Sequence, residues 1–102
     1  MRHGSWTLSV GRPGPGMSTD NVVMENAHEM RAYQVAERWA NAMGVEVAVH
    51  AGRTTLGMPA YRFWPGRWRA YSMGLTAEGE GPMPMHVRQG LRRQFDNAAA
   101  NG

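Results

Sequence analysis

A pair of alternating runs joined by Pro65-Gly66 constrains the fold of this chain more than any other segment. Residues 60–64 and residues 67–73 each alternate between two kinds of side chain, a pattern that predicts two β-strands. Pro followed by Gly suits the two central positions of a type II turn. We therefore expect an antiparallel hairpin, closed by either a two-residue or a four-residue loop.

Two chemically different faces follow from this hairpin, because neighbouring side chains point to opposite sides of a sheet. Either loop length pairs Phe63 with Trp68 and Arg62 with Arg69. The face with Phe63 and Trp68 is expected to be core. The other set, which we name the arginine–aromatic face, consists of Arg62, Trp64, Arg67, Arg69 and Tyr71. Because opposed like charges destabilise a sheet, the Arg62–Arg69 pair favours a surface that docks a partner. The alternative is a solvated outer face whose arginines lie over exposed aromatic rings through cation–π contacts.

The other periodic segments predict two helices and further strands. Residues 5–10 and residues 45–50 alternate in the manner of strands. An amphipathic helix is expected from the N-cap residues at 18–20 to Gly44, and a terminal helix from Met85 onward. The expected architecture is an α+β fold of order β-α-β-β-β-α, with an antiparallel three- to four-stranded sheet covered on one face by two helices.

Two segments rich in glycine and proline, residues 11–16 and residues 78–84, interrupt regular structure. The first of them predicts an N-terminal strand and linker over residues 1–17, followed by a single α+β domain over residues 18–102. Whether the N-terminal strand joins the sheet is left open by the sequence.

The first turns of the predicted helix also leave two interpretations open. Glu25, His28 and Glu29 project onto the same arc as Trp39, which faces the core. Either the helix overhangs the core at this end, or these polar side chains form a buried cluster. Overhang is the interpretation that we favour.

The residue composition narrows the class of protein. A chain of 102 residues forms one domain, and the absence of cysteine excludes disulfide scaffolds, thiolate metal sites and cysteine nucleophiles. No apolar run approaches the roughly 20 residues that a membrane helix needs. The N-terminus lacks the apolar region of a secretory signal, so a cytoplasmic location is expected.

The charged residues favour a protein partner over a nucleic acid. All 11 basic residues are arginines, which stand against 8 acidic residues and give a net charge of +3. Guanidinium groups stack on aromatic rings and form bidentate bonds to carboxylates and phosphates. The net charge is modest for a nucleic-acid-binding protein of this size, and arginine, tryptophan and methionine are enriched in protein interfaces.

No arrangement of residues in the sequence meets the requirements of a catalytic or metal site. His28-Glu29 is not followed by a histidine four residues later, since Ala32 stands there. His50 and His86 lie on separate predicted elements, and no serine or threonine stands in a nucleophile motif. We therefore expect a protein that is not an enzyme and that uses neither a cofactor nor a metal.

The predicted order from Thr19 onward, helix, three strands, helix, resembles that of double-stranded-RNA-binding domains and of small HicA-type mRNA-interferase toxins. This resemblance implies RNA binding and, for the toxins, RNA cleavage. The basic run that opens the last helix of the RNA-binding domains is absent at residues 83–87. The catalytic histidine of the toxins is absent after Gly57, so the resemblance rests on element order.

The leading functional hypothesis is a small non-enzymatic binding protein that docks a protein partner through the arginine–aromatic face. The context considered is a phage or mobile-element inhibitor or adaptor of nucleic-acid-handling machinery, of the anti-CRISPR kind. Direct RNA or DNA binding is the alternative, and a small ribonuclease is a more distant one. A secondary basic patch on the terminal helix consists of Arg88, Arg92 and Arg93. A homodimer through the sheet surface at Trp64 also stays open.

Overall fold

The computed structural model describes residues 3–12, 18–72 and 75–84, which form a six-stranded antiparallel sheet with one α-helix packed on it. The strands are β1 (His3–Arg12), β2 (Ser18–His28), β3 (Val47–Ala51), β4 (Tyr61–Trp64), β5 (Arg67–Ser72) and β6 (Leu75–Glu80), and the helix is α1 (Glu29–Met43). The strand order across the sheet is β2-β1-β3-β4-β5-β6. We call the face that α1 covers the inner face and the opposite one the outer face.

The expected α+β class is confirmed, whereas the expected number of elements is wrong. The sheet has six strands rather than three or four, and the described residues contain one helix rather than two. The second predicted helix, from Met85 onward, lies outside the described residues. The observed order is β-β-α-β-β-β-β, which does not reproduce the order shared by the RNA-binding families. No helix in the described ranges is long and apolar enough to cross a membrane.

The N-terminal strand β1 lies in the interior of the sheet, between β2 and β3. Its Leu8 pairs with Val22 on one side and with Val49 on the other, and is fully buried. A strand with neighbours on both sides satisfies its backbone donors and acceptors within the sheet. β1 is therefore an integral part of the core rather than a loose arm.

The strand β2 replaces the first part of the predicted helix. Pairing with β1 extends along the whole length of β2, so the hairpin overrides the N-cap signal of residues 18–20. The helix α1 begins at Glu29, where His28 Nδ1 accepts a hydrogen bond of 3.1 Å from the Met30 N–H. It ends at Gly44, in the left-handed conformation with φ 69°, as predicted.

A β-bulge interrupts the pairing of β1 with β2. The register shifts between Gly4 and Trp6, so that Glu25 and Asn26 together oppose Ser5. Asn26 has φ 49°, a left-handed conformation that asparagine tolerates better than most residues. The Ser5 hydroxyl donates a hydrogen bond of 3.0 Å to Glu25 Oε2 beside the bulge.

The core lies between α1 and the inner face of the sheet. Three of the five buried residues of α1 are small, namely Ala32, Ala36 and Ala40. Beside them the Tyr33 ring lies 5.9 Å from that of Tyr61 and 5.5 Å from that of Phe63, measured between centroids. Such tilted ring pairs add about 0.5–1.5 kcal/mol each beyond the burial of their area.

Glu29 is buried at the start of α1, contrary to the overhang interpretation. Its side chain is only 4% exposed, and its Oε1 accepts a hydrogen bond of 2.5 Å from the Tyr61 hydroxyl. Glu25, by contrast, is exposed. A carboxyl removed from water needs such a donor, so this polar pair belongs to the core.

The predicted interruption at residues 78–84 is wrong at its start, because Glu78, Gly79 and Glu80 complete β6. The indole of Trp68 lies against Gly79, where a Cβ atom would stand 2.8 Å from Trp68 Cζ2. The glycine is therefore required by close packing rather than by a turn.

Candidate functional site

The hairpin of β4 and β5 forms with the predicted pairing. Phe63 lies opposite Trp68 and Arg62 opposite Arg69, and a two-residue turn joins the strands. Gly66, at the second position of that turn, has φ 70°, which glycine adopts without strain. Phe63 and Trp68 are buried, as predicted for the core face. The alternation therefore brings all members of the arginine–aromatic face together on the outer face.

Trp64 is the central aromatic residue of this face. The Cζ atoms of Arg67 and Arg69 stand 4.2 Å and 5.7 Å from the centroid of its ring. The indole is half-buried and both guanidiniums reach solvent. Cation–π contacts of this kind contribute about 0.5–1 kcal/mol at exposed sites, so they hold the side chains in place without closing the surface.

Two of the arginines are neutralised by acids that the hairpin itself does not contain. Arg62 Nη1 donates to Glu46 Oε1 over 2.6 Å, and Arg69 Nη2 lies 2.7 Å from Glu78 Oε2. The pKa of Arg69 is raised above its ordinary value. The largest cause is its hydrogen bond to Tyr71, and the hydrogen bond to Glu78 comes next. The predicted cost of opposing Arg62 and Arg69 is therefore offset by ion pairs on either side.

The outer face of β4, β5 and β6 is consequently close to electrical balance. Glu80 lies opposite Arg67 in the ladder of β5 and β6, as Glu78 does opposite Arg69. Sequence reasoning assigned these two acids to an interruption and so missed their contribution. The surface combines aromatic rings with paired charges of both signs instead of presenting uncompensated positive charge.

A cavity of about 330 Å³ borders the arginine–aromatic face on its β3 side. It is lined by Ser9, Gly11, Glu46, Ala48, His50, Thr55, Gly57, Pro59 and Arg62. His50 is only 7% exposed, and its Nδ1 is buried without a hydrogen-bond partner among the described residues. Burial, and next the charge of Arg62, lower the pKa of His50, so its imidazole is neutral near pH 7.

The loop between β3 and β4 forms one wall of this cavity and carries two large apolar side chains into solvent. Leu56 and Met58 are both exposed. The loop is tied to β1 by the Thr7 hydroxyl, which donates a hydrogen bond of 2.8 Å to the Gly52 carbonyl. In the sequence, the two apolar residues that flank Gly57 are the signal of this exposed apolar surface.

The remaining residues considered for chemistry do not converge in the part of the chain that is described. His28 caps α1, whereas His50 lines the outer-face cavity. His86 and the secondary basic patch of Arg88, Arg92 and Arg93 lie outside the described residues. Within the described ranges, no group of three or more histidine, cysteine or acidic residues could hold a metal ion.

Comparison with known proteins adds no relative to this geometry. No family model matches the chain, and neither a curated protein nor a solved structure matches it.

Proposed function

We propose that this protein is a small non-enzymatic binding module that docks a protein partner through the arginine–aromatic face. The observation that carries the proposal is the Trp64 ring on the outer face, held by Arg67 and Arg69 rather than buried under a helix. Tryptophan, tyrosine and arginine are the residues that most often dominate binding energy at protein interfaces.

Charge balance supports a protein as the partner. Arg62 and Arg69 already engage carboxylates, and Arg67 stacks on Trp64. A nucleic-acid surface gains affinity by neutralising phosphates, each of which contributes about −0.9 to the slope of log K against log salt for duplex DNA. A face with paired charges can neutralise few phosphates, whereas it suits a protein surface that presents both signs.

The exposed loop between β3 and β4 also supports a protein as the partner. Leu56 and Met58 are large apolar side chains beside the cavity that borders the arginine–aromatic face. An apolar contact of this kind next to aromatic anchors is typical of protein interfaces. We extend the proposal to a cytoplasmic inhibitor or adaptor from a phage or mobile element, acting on nucleic-acid-handling machinery.

The test is an affinity capture from the native host with three baits: wild type, Trp64→Ala/Arg69→Ala, and the control Arg31→Ala/Arg38→Ala on the exposed side of α1. We expect the wild type and the control to retain the same partner. The double variant on the arginine–aromatic face is expected to lose it, with binding at least about 30-fold weaker, or about 2 kcal/mol. Retention by all three baits would contradict the proposal.

A second measurement separates the alternative, direct RNA or DNA binding. Fluorescence anisotropy with a labelled single strand and a labelled duplex at low and high salt reports phosphate contacts directly. We expect weak binding that the Trp64→Ala/Arg69→Ala variant does not change. Tight binding that falls steeply with salt and is lost in this variant would favour a nucleic-acid-binding module instead.

A further inference from the structure

The strand β2 is an edge of the sheet in the described part of the chain, and its central residues lack a basic side chain or a proline. It spans Ser18–His28 and has β1 as its sheet neighbour on one side, with no described strand on the other. Its sequence holds neither proline nor lysine nor arginine, the residues that commonly discourage edge-to-edge contact. The bulge at Asn26 distorts only its last part.

Apolar side chains flank this edge on both faces of the sheet. Val22 points to the inner face and is 39% exposed, and Val23 points to the outer face and is 38% exposed. Between these valines the outward backbone edge of β2 has no neighbouring strand among the described residues, and such an edge is a template for another strand.

A largely apolar groove of about 440 Å³ lies beside the same edge on the inner face. It is lined by Val10, Gly11, Asp20, Val22, Trp39, Met43 and Val45. Met43, at the end of α1, is 52% exposed there. The backbone edge, the two valines and the groove thus point to one occupant that supplies both a strand and apolar side chains.

We infer that a second copy of this chain pairs with β2, so that two sheets join into one through antiparallel β2 strands. A register centred on Val23 sets Val23 against its own copy and Val22 against Met24. In this register Met24 of the second copy lies at the mouth of the apolar groove. Regular pairing then covers residues 22–24 of both copies, Asn21 faces the bulge at Glu25, and no two acidic residues stand directly opposite each other.

Symmetry gives this dimer a geometric consequence. Antiparallel edge pairing requires a two-fold axis perpendicular to the sheet, and closed two-fold pairs are the commonest form of oligomer. Both helices then lie on one side of the joined sheet and both arginine–aromatic faces on the other. Two copies of the proposed binding face would then act together on one partner, a consequence that rests on the proposed function.

The dimer is tested by sedimentation velocity over a concentration series, with Val23→Lys as the disrupting variant and Leu56→Lys as the control. We expect the wild type and Leu56→Lys to form dimers. The Val23→Lys variant is expected to dissociate at least about 100-fold more readily, because two ammonium groups meet at the symmetry axis. Circular dichroism establishes that each variant is folded.

A pair of variants with opposite charges tests the inference even if one of them is less stable as a monomer. Val23→Glu alone should also be monomeric, and an equimolar mixture with Val23→Lys should restore a dimer. A monomeric wild type at every concentration would overturn the inference, and so would a dimer that Leu56→Lys dissociates but Val23→Lys does not. Sedimentation velocity measures the mass of the protein in the absence of a partner. A monomeric wild type would therefore leave the proposed function of the arginine–aromatic face intact.

Discussion

Two buried polar side chains, Glu29 and His50, are accommodated in opposite ways. Glu29 receives a hydrogen bond from the Tyr61 hydroxyl, whereas His50 Nδ1 has no partner among the described residues. A buried polar atom that keeps its hydrogen-bond partner contributes to stability, and one without a partner is a cost that the surrounding fold must offset. The two residues therefore make contrasting predictions.

Tyr61→Phe is expected to lower the free energy of unfolding by about 1–3 kcal/mol, because it takes the hydroxyl donor from a buried carboxyl. Urea denaturation measures the change. Tyr71→Phe is the matched control, since Tyr71 lies on the outer face where water can replace a lost bond, and its effect should stay below about 1 kcal/mol. Equal losses for the two variants would show that the Glu29 contact adds nothing.

His50 makes stability depend on pH in a defined direction. Its pKa in the folded protein lies below the ordinary value of 6.5, so the unfolded chain binds a proton more readily. Stability should therefore fall as pH drops below about 6.5, by at most about 1.4 kcal/mol per pH unit, until the folded-state pKa is passed. His50→Gln should flatten this fall in unfolding experiments kept above pH 5, where carboxylates contribute little. An unchanged slope in the variant would assign the pH dependence to other groups.

At the scale of elements, the hairpin of β4 and β5 could be predicted from the sequence whereas β2 and β6 could not. Pro65-Gly66 fixes the turn, and alternation then sets every side chain of the hairpin. β2 is set by its pairing with β1, a contact that local helix signals at residues 18–20 contradict. β6 contains Gly79 because an indole from β5 packs on it, which no local pattern reveals.

The bulge in β2 offers a test of the element that sequence reasoning missed. Asn26 adopts φ 49° in the strand, so Asn26→Gly should change the free energy of unfolding by less than about 0.5 kcal/mol. Asn26→Val should cost about 1–2 kcal/mol, because a β-branched residue is strained in the left-handed region. If residues 18–28 formed a helix instead, glycine would be the more damaging of the two, and thermal unfolding distinguishes these orders.

For the whole molecule, the decisive feature is that β1 lies inside the sheet. Leu8→Ala should cost about 2–5 kcal/mol, since Leu8 is fully buried between β2 and β3. The same substitution at the exposed Leu56 should change stability by less than about 0.5 kcal/mol. Similar small effects at both positions would indicate a detached N-terminal arm. Chemical denaturation of the two variants provides the comparison.

The candidate site was predictable only in part at this scale. Side-chain alternation placed Arg62, Trp64 and Arg69 on one surface, and the structure shows them there. The carboxylates that balance them come from β6 and from Glu46, just before β3, which the sequence does not connect with the hairpin. Charge pairing between distant segments depends on strand order, and strand order is set by the assembled core.

The interior place of β1 has a consequence for the chain as it leaves the ribosome. β1, β2 and α1 are synthesised before Val47–Ala51, so a nascent hairpin can form while the other edge of β1 still awaits its neighbour. During that interval β1 and β2 each have an edge without a neighbouring strand. The alanine side of α1 can pack only on these two strands, because the other four are not yet synthesised. Synthesis of β3 ends this exposure of strand edges, because β3 pairs with the free edge of β1. The remaining strands can then add to the sheet in order.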